Sequence, residues 1–255
     1  MNDRRRATWA LLLVTLLWGG TFIWMKQALD ASVVLTPTLA KNDAAIFFVL
    51  MRFLIASALL PLVLSEARKG LMSIPNWKAG SLLGVLIWGG FLLQMIGLTD
   101  VTPAVSAFLT SLYVVFTSLI AMAITRRFLS LPAIVGVFLA TVGAGWISGP
   151  PQINFGLGEW LTIACAFLFA AHIIATDRLT EGQDAVGMTA TMLLTVTILS
   201  GITQLVFGSS DYGTLIDLTL SPSFLFPLLY CAILGSIVAL LILMMHQRNL
   251  DPVHA

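Results

Sequence analysis

The sequence predicts an all-α integral membrane protein of about eight transmembrane helices. Three observations carry this. Hydrophobic residues make up 58% of the 255-residue chain and charged residues only 10%, with a mean hydropathy of +0.98, an excess that a water-soluble domain could not bury. The apolar residues gather into runs of about 20, the length a helix needs to cross a roughly 30 Å hydrocarbon core. Most of the basic residues fall between those runs, on alternate sides.

The first run follows Asp3-Arg4-Arg5-Arg6 and ends on LLWGGTFIWMK, closing at Lys26. It is too long for a signal peptide and has no small-residue cleavage site, so it is expected to be retained as the first span. Within it, Trp18-Gly19-Gly20 thins the helix, since glycine lets another backbone or a ligand approach closely. The second span is expected at Ala44–Leu64 and carries Arg52 inside it. A polar loop with Glu66, Arg68, Lys69 and Lys78 leads to the third, Ala79–Thr99. Pro103, suited to a first helical turn, then opens the fourth, which ends near Thr125 before Arg126-Arg127.

The fifth span is expected at Leu131–Ser148, with Gly136, Ala140 and Ala144 in the four-residue spacing that lets membrane helices pack closely. Gly149-Pro150-Pro151 breaks the chain after it. The sixth runs Glu159–Thr176, the seventh Ala185–Gly208 with no charge, and the eighth Ser223–Met245; the loop before the eighth holds Asp211 and Asp217. Cys165 and Cys231 both lie in apolar runs and read as small buried hydrophobes, not as a disulfide pair.

Loop charge sets the expected orientation. With the amino terminus in the cytoplasm, ten basic residues fall on the cytoplasmic side against Lys26 and Lys41 outside, and Arg52 in the membrane accounts for the last of the 13. Both termini are therefore expected to be cytoplasmic, in a cell (inner) membrane. The net charge of +1 gives no reason to expect a nucleic-acid partner. The expected partners are the lipid bilayer and a small-molecule metabolite.

The chain also repeats itself weakly. A shift of 151 residues lays Thr8-Trp9 on Glu159-Trp160, Trp18-Gly19-Gly20 on Phe169-Ala170-Ala171, Thr21 on His172 and Lys26 on Asp177. A shift of 149 lays Thr102-Pro103-Ala104 on Asp251-Pro252-Val253. Residues 1–150 then form one unit of five spans, and 151–255 a second unit of three. A unit with an odd number of spans must be followed by an inverted copy, the arrangement of secondary transporters whose substrate sites lie between the halves.

LLWGGTFIWMK, MRFLIAS of the second span, AFLTSLYVVF of the fourth and GVFLATVGAGWI of the fifth together resemble the EamA-type members of the drug/metabolite transporter superfamily. The resemblance implies a ten-helix fold of two inverted five-helix repeats. It also implies carriage of small metabolites, often amino acids or related compounds, commonly coupled to protons. Two departures stand out. Where the family often has an acidic Leu-Gly-Glu motif this chain reads Thr125-Arg126-Arg127, and the second repeat is incomplete, a truncated 5+3 form. Self-association as a homodimer would restore the missing surface; otherwise the chain reads as a non-transporting membrane protein or an assembly partner.

The candidate substrate-binding residues are Trp18, Lys26, Arg52, Trp88, Gln94, Tyr113 and His172. A charge inside a bilayer is costly, so Arg52 should face a cavity or a partner, and its forked guanidinium suits a carboxylate or phosphate. The alternative is a contact with outer headgroups or a backbone carbonyl. Lys26 either shares that anion or snorkels to the interface. His172 is either a proton relay or a hydrogen-bonded structural residue. Gln94, with Gln204, supplies cavity hydrogen bonds or ties helices together, and Trp18, Trp88 and Tyr113 line a cavity or simply pack. No mid-span carboxylate, serine–histidine pair or metal-ligand spacing appears, so neither enzyme, metal nor cofactor is expected.

Overall fold

A computed structural model describes residues 3–126, 131–147, 155–180 and 184–246. It is helical throughout these residues, as the composition predicts. The elements are α1 (Asp3–Leu35), α2 (Lys41–Val63), α3 (Ser65–Gly70), α4 (Ile74–Gly97), α5 (Pro103–Ser111), α6 (Tyr113–Thr125), α7 (Leu131–Ile147), α8 (Leu157–Leu179), α9 (Ala185–Phe207), α10 (Tyr212–Leu220), α11 (Pro222–Ala232) and α12 (Ala239–His246), with a π-helical stretch, Ile233–Val238, joining the last two.

Seven helices or broken helices among the described residues are long and apolar enough to cross a membrane. The fifth expected span is α7, which at 17 residues is shorter than that; the residues flanking it, 127–130 and 148–154, lie outside the described set, as do the Gly149-Pro150-Pro151 break and the 251–253 end of the repeat match. Of its small-residue stripe only Gly136 is described, the side chains of Ala140 and Ala144 lying outside the described set. Nothing lies within 4 Å of where a Cβ on Gly136 would sit.

Two loops of the sequence reading are short helices. α3 buries Ala67 and Gly70 beneath α9, and α10 buries Leu215 and Leu218, so each gains from tertiary burial what its length cannot supply. Asp211 caps α10, accepting from Thr214 N at 3.2 Å and Thr214 Oγ1 at 2.7 Å. These bonds hold the Asp211 carboxyl below its ordinary range. α6 ends on Arg126, which takes the left-handed conformation (φ 53°) that glycine adopts more cheaply at helix ends.

α1 lies on α11 and α12, α4 packs on both α8 and α9, and α2 lies on α9. The core between them is dense in aromatic rings. Phe48 of α2 meets Phe224 of α11 edge-on at 5.5 Å, and Phe91 of α4 stands between Phe53 and Phe169 at 5.3 and 5.1 Å.

Gly20 lets α1 approach α11. A Cβ there would collide with the Tyr230 hydroxyl, which donates to Leu17 O at 3.3 Å. Gly19, one residue back, faces open space instead. The fourth expected span is broken. Leu112 interrupts it between α5 and α6, where Leu112 N turns back onto Leu109 O at 3.2 Å and Phe116 N resumes the helical pattern on Leu112 O. Irregular backbone at membrane depth is sustained where it is buried in protein or borders a cavity.

Candidate functional site

The break at Leu112 borders a cavity of about 180 Å³ enclosed by α1, α4, α5, α6, α8 and α12. Its walls are mostly rings and aliphatic groups: Trp18 and Phe22 from α1, Phe91 from α4, Phe169 and Ile173 from α8, and Leu243 from α12. Gln94, Thr110, Ser111, Tyr113, Thr21 and His172 bring polar atoms to it. Thr15 and Gly19 line one flank and are themselves exposed, so the cavity opens along that side of α1.

Four of the seven candidate residues meet here. Trp18 lines the cavity and donates from Nε1 to Gly235 O at 3.0 Å, which ties α1 to the π-helical stretch. Buried Gln94 donates from Nε2 to Thr110 Oγ1 at 3.3 Å, joining α4 to the last turn of α5. Tyr113 opens α6 on the far side of the break. His172 is 2% exposed, and its Nε2 has no hydrogen-bond partner among the described residues.

Lys26, Arg52 and Trp88 do not line this cavity. Lys26 Nζ donates to Leu98 O at 3.2 Å, at the carboxyl end of α4, where unpaired carbonyls attract a cation, and it approaches Asp30 at 3.8 Å. The cation the sequence offered to an anion is thus held by a helix end. Trp88 packs against the core with its Nε1 buried and unpartnered among the described residues. Gln204 also lies elsewhere, donating to Ser209 O at 2.9 Å just past the end of α9.

Arg52 is buried, with 1% exposure, one layer behind the cavity wall. Its Nε donates to Ser236 Oγ at 2.7 Å and its Nη1 lies 3.6 Å from Met25 Sδ. The guanidinium carbon sits 4.2 Å from the Phe91 ring centroid and 5.4 Å from that of Phe53, so two aromatic faces take the place of a counter-ion. No carboxylate pairs with it among the described residues, and Nη2 has no hydrogen-bond partner there. Ser236 in turn donates to Cys231 O at 3.0 Å, five residues back, within the wide turn of the π-helical stretch. Such stretches are frequent at functional sites.

The sequence reading did not single out Phe22, Phe91, Thr110, Ser111 or Phe169. A usable signal was present for some of them. The 151-residue shift places Trp18 on Phe169, Thr21 on His172 and Phe22 on Ile173, and all six residues line this one cavity. Thr110-Ser111 is a hydroxyl pair in mid-run; Ser111 Oγ donates to Phe108 O at 2.6 Å beside the break.

The chain has recognisable relatives. Residues 5–149 match the model of the EamA-like transporter family. A protein of Archaeoglobus fulgidus named an uncharacterized transporter is 32% identical over 170 residues, which are 67% of this chain and 48% of that protein. The chain therefore spans about half the length of this curated relative. A solved crystal structure, 17% identical, superposes with a TM-score of 0.71 over 98% of this chain and 81% of its own, a likeness of fold.

Proposed function

The chain belongs to the EamA-like transporter family, and from that premise we propose that it acts as a secondary transporter of small metabolites, working by alternating access around the cavity beside Leu112. In this reading residues 1–150 and 151–255 are the two inverted halves, both termini are cytoplasmic, and the protein sits in the cell membrane. Amino acids or related compounds are the solutes the family resemblance implies, with protons as the coupling ion.

One observation carries the reading. The cavity is lined by residue pairs separated by a constant 151 positions: Trp18 and Phe169, Thr21 and His172, Phe22 and Ile173. A solute site on the pseudo-symmetry axis between inverted repeats has this property, since equivalent residues of the two halves then face one volume. The packing of α1 on α11–α12, matched by that of α8 on α4, and of α2 on α11, matched by that of α9 on α4, supports the same axis. So does the broken α5–α6 span, because interrupted helices commonly build such sites.

The test is counterflow in proteoliposomes of the purified chain, loaded with a panel of amino acids and uncharged metabolites, with and without a pH gradient. Carrier-mediated exchange of at least one solute, lost when Gln94 is replaced by leucine, is the expected result. Absence of exchange for the whole panel would instead favour a non-transporting assembly partner.

A further inference from the structure

We infer that the cavity selects an uncharged solute built on a flat ring and bearing a hydrogen-bonding group, rather than a free amino acid or another carboxylate. The inference rests on the transporter reading and replaces the free amino acids implied by the family resemblance with a neutral class of solute.

The charge balance of the wall leads to it. No Lys, Arg, Asp or Glu lines the cavity among the described residues. A solute carrying a full charge would leave its water shell for a volume with nothing to pair it, a cost that normally keeps unpaired ions out of such places. A zwitterion fares no better, since it needs both an anion and a cation partner.

Arg52 does not line the cavity; its guanidinium carbon sits over the Phe91 ring at 4.2 Å, and Phe91 itself lines the cavity. That ring covers one face of the guanidinium, and Arg52 is not among the residues that line the solute space. Lys26 is held by Leu98 O and Asp30.

What the wall does offer is rings and neutral polar atoms. Trp18, Phe22, Phe91, Tyr113 and Phe169 present aromatic surface, which favours a planar ring in stacked or edge-on contact. His172 lines the cavity, and its Nε2, buried in the wall, has no partner in the protein among the described residues. Of the buried polar atoms left unpaired among the described residues, this is the one whose side chain lines the cavity, and a small turn of the ring would give it a solute group as partner. The volume of about 180 Å³ is below the roughly 300–1,000 Å³ of drug-sized sites, so the solute is small.

Nicotinamide and nicotinate make a direct test, because they share a ring and nearly a shape and differ in charge at neutral pH. Binding of each, and of phenylalanine as a zwitterion with a ring, would be measured by calorimetry on the unmodified chain in detergent. Nicotinamide is expected to bind at least ~10-fold more tightly than either of the others. His172→Leu should weaken it by a similar factor while the melting temperature of the unliganded protein holds or rises.

Equal or tighter binding of nicotinate or phenylalanine overturns the inference. If that affinity also disappears in Arg52→Met, the guanidinium reaches the solute after all. Binding of none of the three equally overturns the ring-solute assignment. Counterflow separates the two levels. Nicotinamide that binds but is not exchanged sinks the transport reading and leaves the binding class standing, whereas exchange of amino acids without nicotinamide binding does the reverse.

Discussion

Arg52 Nε donates to Ser236 Oγ at 2.7 Å across 184 positions of sequence, joining the middle of α2 to the π-helical stretch between α11 and α12. The bond holds a charge at membrane depth where, among the described residues, no carboxylate meets it. Ser236 relays it onward to Cys231 O, so one hydroxyl serves both the buried cation and the wide turn.

Ser236→Ala should therefore cost more than a lost hydroxyl normally would. It leaves Nε buried and unpaired, at about 1–3 kcal/mol, and the melting temperature in detergent should fall accordingly. Arg52→Met tests the same pair from the other side. Replacing a buried charge by a hydrophobe of similar length is neutral to stabilising where the charge serves structure alone. Stability held with transport lost would assign Arg52 to the transport cycle; stability held with transport intact would leave it a structural charge alone.

Gly19 and Gly20 should respond oppositely to substitution. Gly19 lines the cavity with nothing within 4 Å of its would-be Cβ, so Gly19→Leu fills solute space without disturbing α1. Exchange is expected to drop ~10-fold or more with the melting temperature unchanged. Gly20→Ala collides with the Tyr230 hydroxyl and should cost about 1–3 kcal/mol of stability.

Lys26→Met should do little. Its ion pair with Asp30 is long, and the two side chains are 25% and 66% exposed. The loss should stay below about 1 kcal/mol, and solute affinity should not change because Lys26 does not line the cavity. A tenfold loss of affinity would return Lys26 to the site.

The Asp211 cap predicts a local acid response. Its carboxyl is held below the ordinary value by the two bonds from Thr214, so the folded state favours the ionised form. The cap's contribution is then fully present above the unfolded carboxylate pKa, about 3.9, and is lost as pH falls through the lower folded value. Amide exchange at Thr214 should show protection that declines over that window, and Asp211→Ala should remove the decline.

The candidate site was legible only in part. Trp18, Gln94, Tyr113 and His172 were found because polar and aromatic tips inside apolar runs are conspicuous. Lys26 and Arg52 were conspicuous for the same reason, but a charge in a membrane can be answered by a helix end, as at Leu98 O, or by ring faces, as at Phe53 and Phe91. Composition does not distinguish these answers from a bound anion.

By itself, the sequence determined that the chain is an all-helical membrane protein, and it placed most of the spans to within about five residues, because the length of an apolar run is a local property set by the thickness of hydrocarbon; the first runs on past Lys26 to Leu35, and the fifth is the shorter α7. Only the tertiary structure decided which face of each span looks inward. Lipid and protein core are both apolar, so a membrane helix carries little of the polar–apolar periodicity that marks the inner face of a soluble one. The break at Leu112, the π-helical stretch at Ile233–Val238 and the volume they help enclose exist through contacts between helices distant in sequence. Trp18 reaching Gly235 O and Arg52 reaching Ser236 are two of those contacts.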